Sequence, residues 1–301
     1  MNFASTGFCM DNTITPGKIG VVTVLFHSEP VLAEFFPSIA AQTYRNFTVF
    51  AVDNASTDRS VALCREQGFT VIANDENRGV AAANNQGIAA ALDADCEYVL
   101  LLNNDVSFGP TLFSELLDGL RAHHCQMTTP LIYFSDAPST IWCAGGGFTR
   151  WLGERPWHSH QGRHDTGQLL TPRRVEFTPT CCVLMDRDVF ARVGMMDERY
   201  FVYWDDTDFM LRARRTGERL MLLPHAKLWH KVGALTGRES NFTLHYATRN
   251  HAYYLRKHLP APLALLWLSI YGTAFALAAL FSSRWRIKLR AWLEGMRMPL
   301  T

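Results

Sequence analysis

Three carboxylates stand within four residues at Asp205, Asp206 and Asp208, directly after Tyr200, Phe201, Tyr203 and Trp204. Crowded acids disfavour one another's charge, so at least one must keep its proton above the usual carboxylate range. A carboxyl group tuned upward suits a general base that takes a proton from a hydroxyl. The competing role is structural: a helix starting near Thr207 would favour acids at its positive end. Capping accounts for one carboxylate and leaves two. A second polar group, Asn103, Asn104 and Asp105, ends the apolar run Tyr98–Leu102. A short apolar run reads as a strand covered on both faces, and ligands of open α/β sheets lie beyond the carboxyl ends of such strands. Asp105 therefore stands where a ligand would lie, although a lone acid after a strand also serves as a turn former or helix cap. Downstream, His230 in Trp229-His230-Lys231 is a candidate ligand for a metal or a phosphate. The pairs His123/His124 and His158/His160 lack an acid or thiol to complete a metal site and read as solvated loop and helix-end residues.

The elements that must position these groups follow from the pattern. Ile19–Phe26 is β-rich and apolar, hence a first strand, with His27, Ser28 and Glu29 in the loop beyond it. Pro30 suits a first helical turn, and that helix runs to about Ala41. Phe47–Val52 is a second strand, ending in Asp53-Asn-Ala-Ser-Thr-Asp58, where Asp58 can cap a helix over Arg59–Gln67. Phe69–Ala73 is a third strand, and a small-residue helix from Asn77 to Leu92 precedes Tyr98. Strand and helix alternating in this way predict a doubly wound, mostly parallel sheet with helices on both faces. A helix over Pro110–His123 follows, and then the pattern loosens into a long loop at Arg150–Arg174, rich in Gly, His, Arg and Trp. Val183–Met185 is apolar, Asp188–Val193 starts a helix, and Leu220–Leu223 is a further strand.

Composition narrows the class. The chain has 301 residues and a net charge of +1, so no bulk field points to nucleic acid. Seven cysteines without a CxxC pair make neither a disulfide framework nor a zinc module, which suggests reduced thiols and a cytosolic setting. Residues 1–17 read as a loose tail. From Leu259 to Ser283 no residue is charged, Pro260 and Pro262 stand at the entry, and Arg284, Arg286, Lys288 and Arg290 follow. The run is long enough to span a bilayer. Its basic, tryptophan-bearing continuation instead suggests a helix lying in the interface. A buried C-terminal helix is the plain alternative.

The stretches VVTVLFHSEP, VDNASTD, NRGVAAANNQG, YVLLLNNDV, VGMMDERYFVYWDDTDFMLRARRTG and LPHAKLWH, taken in order, resemble family 2 glycosyltransferases of the GT-A fold. Within these they look most like bacterial rhamnosyltransferases of surface-polysaccharide assembly. The likeness covers roughly residues 19–237. It implies a GT-A domain over 18–258, with a nucleotide-binding half at 18–106 and an acceptor half at 107–258, followed by a membrane-associating segment at 259–301. It implies that Asp53 takes the nucleotide's pyrimidine, that Phe26, Ser28, Glu29, Arg78, Asn85 and Asn104 line the nucleotide sugar, and that Asp105 is the last acid of a DxD motif. Asn103 replaces that motif's first acid, so Asp105 and His230 together would hold Mg²⁺ or Mn²⁺. Asp206, with Asp205 beside it, matches the family's base, and residues 145–174 would face the acceptor. The implied reaction is an inverting transfer, L-rhamnose from dTDP-rhamnose, to a saccharide or lipid-linked saccharide on the inner face of the cell membrane. A galactofuranosyl- or other hexosyltransferase is the nearest alternative, and an inactive sugar-nucleotide-binding module is one of another class. A processive synthase is disfavoured because Phe281 stands where its QxxRW motif has Gln before Arg284-Trp285. A dinucleotide-binding enzyme is disfavoured because no GxGxxG follows the first strand.

Overall fold

The computed structural model describes residues 17–233 and 240–300. The expected N-terminal tail lies, up to residue 16, outside the described residues. The first half alternates as expected: β1 Ile19–Leu25, α1 Glu29–Ala40, β2 Phe47–Asp53, α2 Ser60–Glu66, β3 Thr70–Ala73, α3 Gly79–Asp93 and β4 Tyr98–Leu102. Then come β5 Val106–Phe108, α4 Leu112–Ala122, β6 Met127–Phe134, β7 Ile141–Cys143, β8 Gly146–Thr149, β9 Arg155–His158, β10 Arg173–Val175 and β11 Cys182–Asp186. The chain continues through α5 Asp188–Val193, α6 Asp205–Arg215, β12 Leu220–His230, α7 Asn241–His258, α8 Ala261–Ala279 and α9 Ser283–Gly295.

One sheet crosses the whole domain in the order β10-β12-β6-β11-β4-β1-β2-β3. Strands β3, β2, β1 and β4 are parallel, β11 is inserted antiparallel between β4 and β6, and β12 runs parallel to β6. Burial on both faces explains the unbroken apolar runs. One face packs on Leu32, Phe35 and Ile39 of α1 with Phe113, Leu116 and Leu117 of α4. The other packs on Ile88 and Ala91 of α3, Phe209 and Met210 of α6, and Tyr253 and Tyr254 of α7. The small residues of α3 let it press directly on the sheet. A Cβ added at Gly87 would fall 2.3 Å from Cγ1 of Val22 on β1.

Strand β6 was not expected from the sequence. Its Thr128, Thr129 and Pro130 break the apolar period, yet both threonines are buried. Thr128 donates to the Leu116 carbonyl, while Thr129 donates to Cys182 O at 3.0 Å and bonds Thr178. Pro130 is tolerated because it pairs with Leu223, where the ladder to β12 slips register before Lys227. The expected loop over 150–174 is instead partly ordered as a β8–β9 hairpin and the edge strand β10. His158 is also not a solvated loop residue: its ring packs between Trp142 and Phe177.

The C-terminal segment is two-sided. The inner face of α8, through Ala264 and Leu268, joins Ala252 and Leu255 of α7 and the fully buried Trp292 of α9. Its outer face leaves Leu265, Leu266, Ile270, Leu277, Leu280 and Phe281 exposed, so the plain alternative of a buried helix does not hold. By length and composition α8 could cross a membrane, with 11% of it buried. Basic residues before the apolar run face protein: Arg256 donates to Gly295 O and Met298 O, and Lys257 to Asp197.

Candidate active site

The carboxyl ends of β1, β2 and β4 converge, and the chain beyond β4 returns to them. Strand β5 pairs antiparallel with the end of β12, matching Val106 to His230, and Lys231 N–H donates to the Asp105 carbonyl at 2.9 Å. This ladder sets Oδ1 of Asp105 3.1 Å from Nε2 of His230, with both side chains about nine-tenths buried. The two atoms are close without forming an aligned hydrogen bond, and Asp105 Oδ1 has no other partner. Among the described residues no group of three or more His, Cys, Asp or Glu side chains could hold a metal. A carboxylate oxygen left unpaired beside an imidazole nitrogen does fit a divalent ion that draws its remaining ligands from a diphosphate and water.

The three acids before and within α6 divide. Asp208 is fully buried and structural. It accepts from Arg212 at 2.8 Å, His258 at 2.6 Å and Tyr200 at 3.3 Å, and Lys257 lies 2.6 Å away. Burial opposes its charge, but His258, Arg212 and Lys257 together hold its carboxyl well below the usual range. His258 is itself held below its usual range by burial, and its Nδ1 meets the Arg215 guanidinium. A neutral ring donating from Nε2 satisfies both contacts. Asp205, 4% exposed, is pushed up to about 8, first by burial and then by the Asp206 charge. Asp206 is raised too, by burial, against bonds from the Thr207 amide and hydroxyl to its Oδ1. Two adjacent carboxyls, both raised, make a pair suited to accept another group's proton.

Asp206 and Asp105 both lie near Cys181. The buried Cys181 thiol feels both charges, and its carbonyl accepts from Asn103 N–H at 2.9 Å. At the end of β2 Asp53 is buried, with Oδ2 accepting from Ser56 N–H and Oδ1 unpaired. Phe26 is 40% exposed beside it, where β1 and β2 end together at Leu25 and Asp53. Arg78 is half-exposed at the start of α3, its nearest acid Glu76 at 4.0 Å.

Four sequence-derived binding residues hydrogen-bond to protein. Asn104 donates to Val24 O at 2.7 Å and to Ser28 Oγ, tying β4 to the β1 loop. Ser28 is fully buried and also accepts from Phe26 N–H. Glu29 accepts from Arg59 N–H while its own amide donates to Asp58. Asn85 bonds both ways with the Met196 backbone and donates to Glu198. An amide and a hydroxyl read as ligand contacts because their elements end at the cleft; their side chains turn inward because the loops need donors there. Trp142 was missed. Its ring meets His230 edge to face at 4.6 Å and His158 at 5.4 Å, so it walls the Asp105–His230 pair. A single Trp in the short IWC run gave no periodic signal. A depression of about 320 Å³ between Phe36, Phe47 and Phe69 lies at the other ends of the strands and belongs to no part of this site.

Replacing Asp206 with Asn should cut turnover about 10²–10⁴-fold with nucleotide binding intact. Asp208→Asn should instead destabilise the fold by about 3–5 kcal/mol, by stranding buried cations, as urea titration will show. The two acids should also tilt stability oppositely with pH. Asp208 stabilises above the ordinary carboxylate pKa and loses this as pH falls. Asp205 keeps in the fold a proton that the unfolded chain loses near pH 4, so its contribution fades as pH rises towards 8. Asp205→Asn should flatten that decline. Complete activity in Asp206→Asn would remove it as the base. A second measurement concerns the ion: Asp105→Ala should weaken nucleoside-diphosphate binding with Mg²⁺ or Mn²⁺ and leave it unchanged in EDTA, with His230→Ala following more mildly. Equal affinities of wild type and Asp105→Ala across a metal titration would exclude an ion on this pair.

Comparison with known proteins agrees with this geometry. Residues 20–194 match the family model "Glycosyl transferase family 2". The N-acetylglucosaminyl-diphospho-decaprenol L-rhamnosyltransferase of Mycobacterium tuberculosis is 29% identical, over 78% of this chain and 82% of that protein. The dTDP-rhamnosyl transferase RfbF of Shigella flexneri is 24% identical, over 85% of this chain and 86% of its own. In fold, the mannosyltransferase PcManGT of Pyrobaculum calidifontis, solved with GDP-Man and Mn²⁺, superposes with a TM-score of 0.56 at 15% identity, covering 93% of this chain and 85% of that one. A doubly wound sheet with a carboxylate–histidine pair at its carboxyl ends, together with this match over more than half its length, makes the chain a glycosyltransferase of family 2 with the GT-A fold.

Proposed function

We propose that the protein is an inverting rhamnosyltransferase that moves L-rhamnose from dTDP-rhamnose to a hydroxyl of a lipid-linked saccharide at the cytoplasmic face of a membrane. The observation that carries the chemistry is that Asp105, paired with His230, and Asp206, beside the raised Asp205, both stand close to the buried Cys181. Likeness to two rhamnosyltransferases supports the sugar. Phe26 and the unpaired oxygen of Asp53 receive the pyrimidine nucleoside, and Arg78 faces the diphosphate. Asp105 and His230 would hold a divalent ion, which when bound supplies positive charge to the departing diphosphate. Asp206 takes the proton of the acceptor hydroxyl. That oxygen bonds to the anomeric carbon from the face opposite the nucleotide, while the carbon–oxygen bond to phosphate breaks and its electron pair leaves with the diphosphate. One displacement inverts the configuration, and Arg78 offsets the negative charge that develops.

The acceptor side is the β8–β9 hairpin. Its base, at His158, touches Trp142 beside His230, and Gly153 at its far end lies against Leu255 of α7, Leu259 between the two helices and Trp267 of α8. The hairpin thus leads from the candidate site to the apolar cluster between α7 and α8. Arg284, Arg286 and Arg290 of α9 are exposed near that face and suit anionic head groups, at roughly 1 kcal/mol each. The inner face of α8 is occupied by α7 and α9, which favours a helix lying in the interface over one that spans.

A panel of nucleotide sugars, with Mg²⁺ or Mn²⁺, should show hydrolysis or thermal stabilisation strongest with dTDP-rhamnose. A stronger response to UDP-galactofuranose would move the assignment to that donor. For the membrane, full-length protein should co-sediment with anionic vesicles at low salt, and a Leu265→Ser/Leu266→Ser/Leu277→Ser/Phe281→Ser variant should stay in the supernatant while still binding nucleotide. Wild type left in the supernatant would refute the membrane assignment.

A further inference from the structure

The segment that delivers the catalytic carboxylates is the most contorted piece of backbone in the site. Phe201, Tyr203 and Trp204 all have positive φ, at 63°, 64° and 69°, and none is glycine. Phe201, with ψ of −60°, is the centre of a γ-turn of the rare positive-φ form, closed by Val202 N–H donating to Tyr200 O at 2.7 Å. Such conformations persist only where surrounding structure holds them. Asp205 and Asp206 follow immediately.

One buried amide makes three of the contacts that hold this segment. Asn250, in the middle of α7, has no solvent exposure. Its Nδ2 donates to Tyr200 O at 2.6 Å, Val202 O at 2.8 Å and Tyr203 O at 2.9 Å. Two N–H groups serve three carbonyls, so one is shared. The Asn250 oxygen accepts from Arg249, whose guanidinium also donates to Arg199 O and Tyr200 O. On the same helix Ala247 O accepts from the Trp204 indole, and His251 stacks flat on that ring at 4.5 Å.

We infer that Asn250 is a positioning residue for glycosyl transfer: it gathers three carbonyls of the strained 200–204 turn and so fixes where Asp205 and Asp206 stand. The inference rests on reading Asp206 as the base. A merely structural asparagine would matter only through the amount of folded protein. A positioning one acts on turnover, because an error of about 1 Å in a reacting group can cost about 10²-fold.

The test uses the full chain with Asn250→Ala and Asn250→Asp, the latter keeping the shape and the oxygen facing Arg249 but losing the donors. Leu117→Ala, in the other core, serves as the destabilised control. The expected result is a kcat lower by about 10²-fold in both Asn250 variants, with donor KM and nucleoside-diphosphate affinity within about twofold of wild type. The acidic limb of the pH–rate profile should move down as the loosened turn lets water reach the acid pair. The control should lose thermal stability and keep its kcat. Hydrogen exchange supplies a readout independent of catalysis: amides of 200–206 should exchange faster in both Asn250 variants and unchanged in the control. Asn250 variants with wild-type kcat and unchanged exchange would overturn the inference, as would losses no larger than the control's. If wild type transfers no sugar from any donor, the rhamnosyltransferase proposal fails, while the exchange measurement still judges whether Asn250 holds the turn.

Discussion

A carboxylate with no access to water binds the second half of this molecule together. Asp208 would be costly to bury alone, so its surroundings must supply compensating charge and donors. Arg212 comes from its own helix, Tyr200 from the turn before it, and Lys257 and His258 from the end of α7. Those partners fix α6 against α7. Everything on α7 then falls into place, including Asn250 beneath the contorted turn and the aromatic ring of His251 against Trp204. Helices α8 and α9 close over the other side of α7, with Trp292 buried between them. The charge cluster is remote from substrate chemistry, yet it decides where the chemical carboxylates can be.

Neighbouring acids therefore acquire opposite character from their surroundings. Asp208 meets cations and stays ionised. Asp205 meets only burial and the Asp206 charge, and keeps its proton. Three identical side chains within four positions thus fall into two kinds, one neutralised by cations within the fold and the others raised by burial.

The first half of the fold was legible because its signals are local. Strands β1, β2 and β4 are apolar runs ended by polar turns, and α3 is a run of small residues; each matches the expected bounds to within a residue or two. β6 was hidden because its polarity is satisfied from distant elements, Leu116 and Cys182, which no window of sequence contains. The same reason divides the candidate site residues by what their side chains touch. Asp105 and Asp53 retain unpaired oxygens at the sheet's carboxyl ends. Asn85 and Asn104 looked equivalent, but Met196 and Val24 claim their amides. The acid triplet offered two functional groups and one structural one. Which one was structural depended on Lys257 and His258, fifty positions away in the chain.

The pairing of β5 with β12 also has a bearing on how the chain reaches its native state. Asp105 and His230 belong to widely separated stretches, and no local segment brings them together before β6, β11 and β12 have joined the sheet. Contacts between such distant positions form only after the loop-closure entropy between them has been overcome. A nascent or unfolded chain consequently presents no preformed binding pair, and a cation held there would act on the finished fold alone. It would add to global stability by mass action, in proportion to the logarithm of its concentration above its dissociation constant.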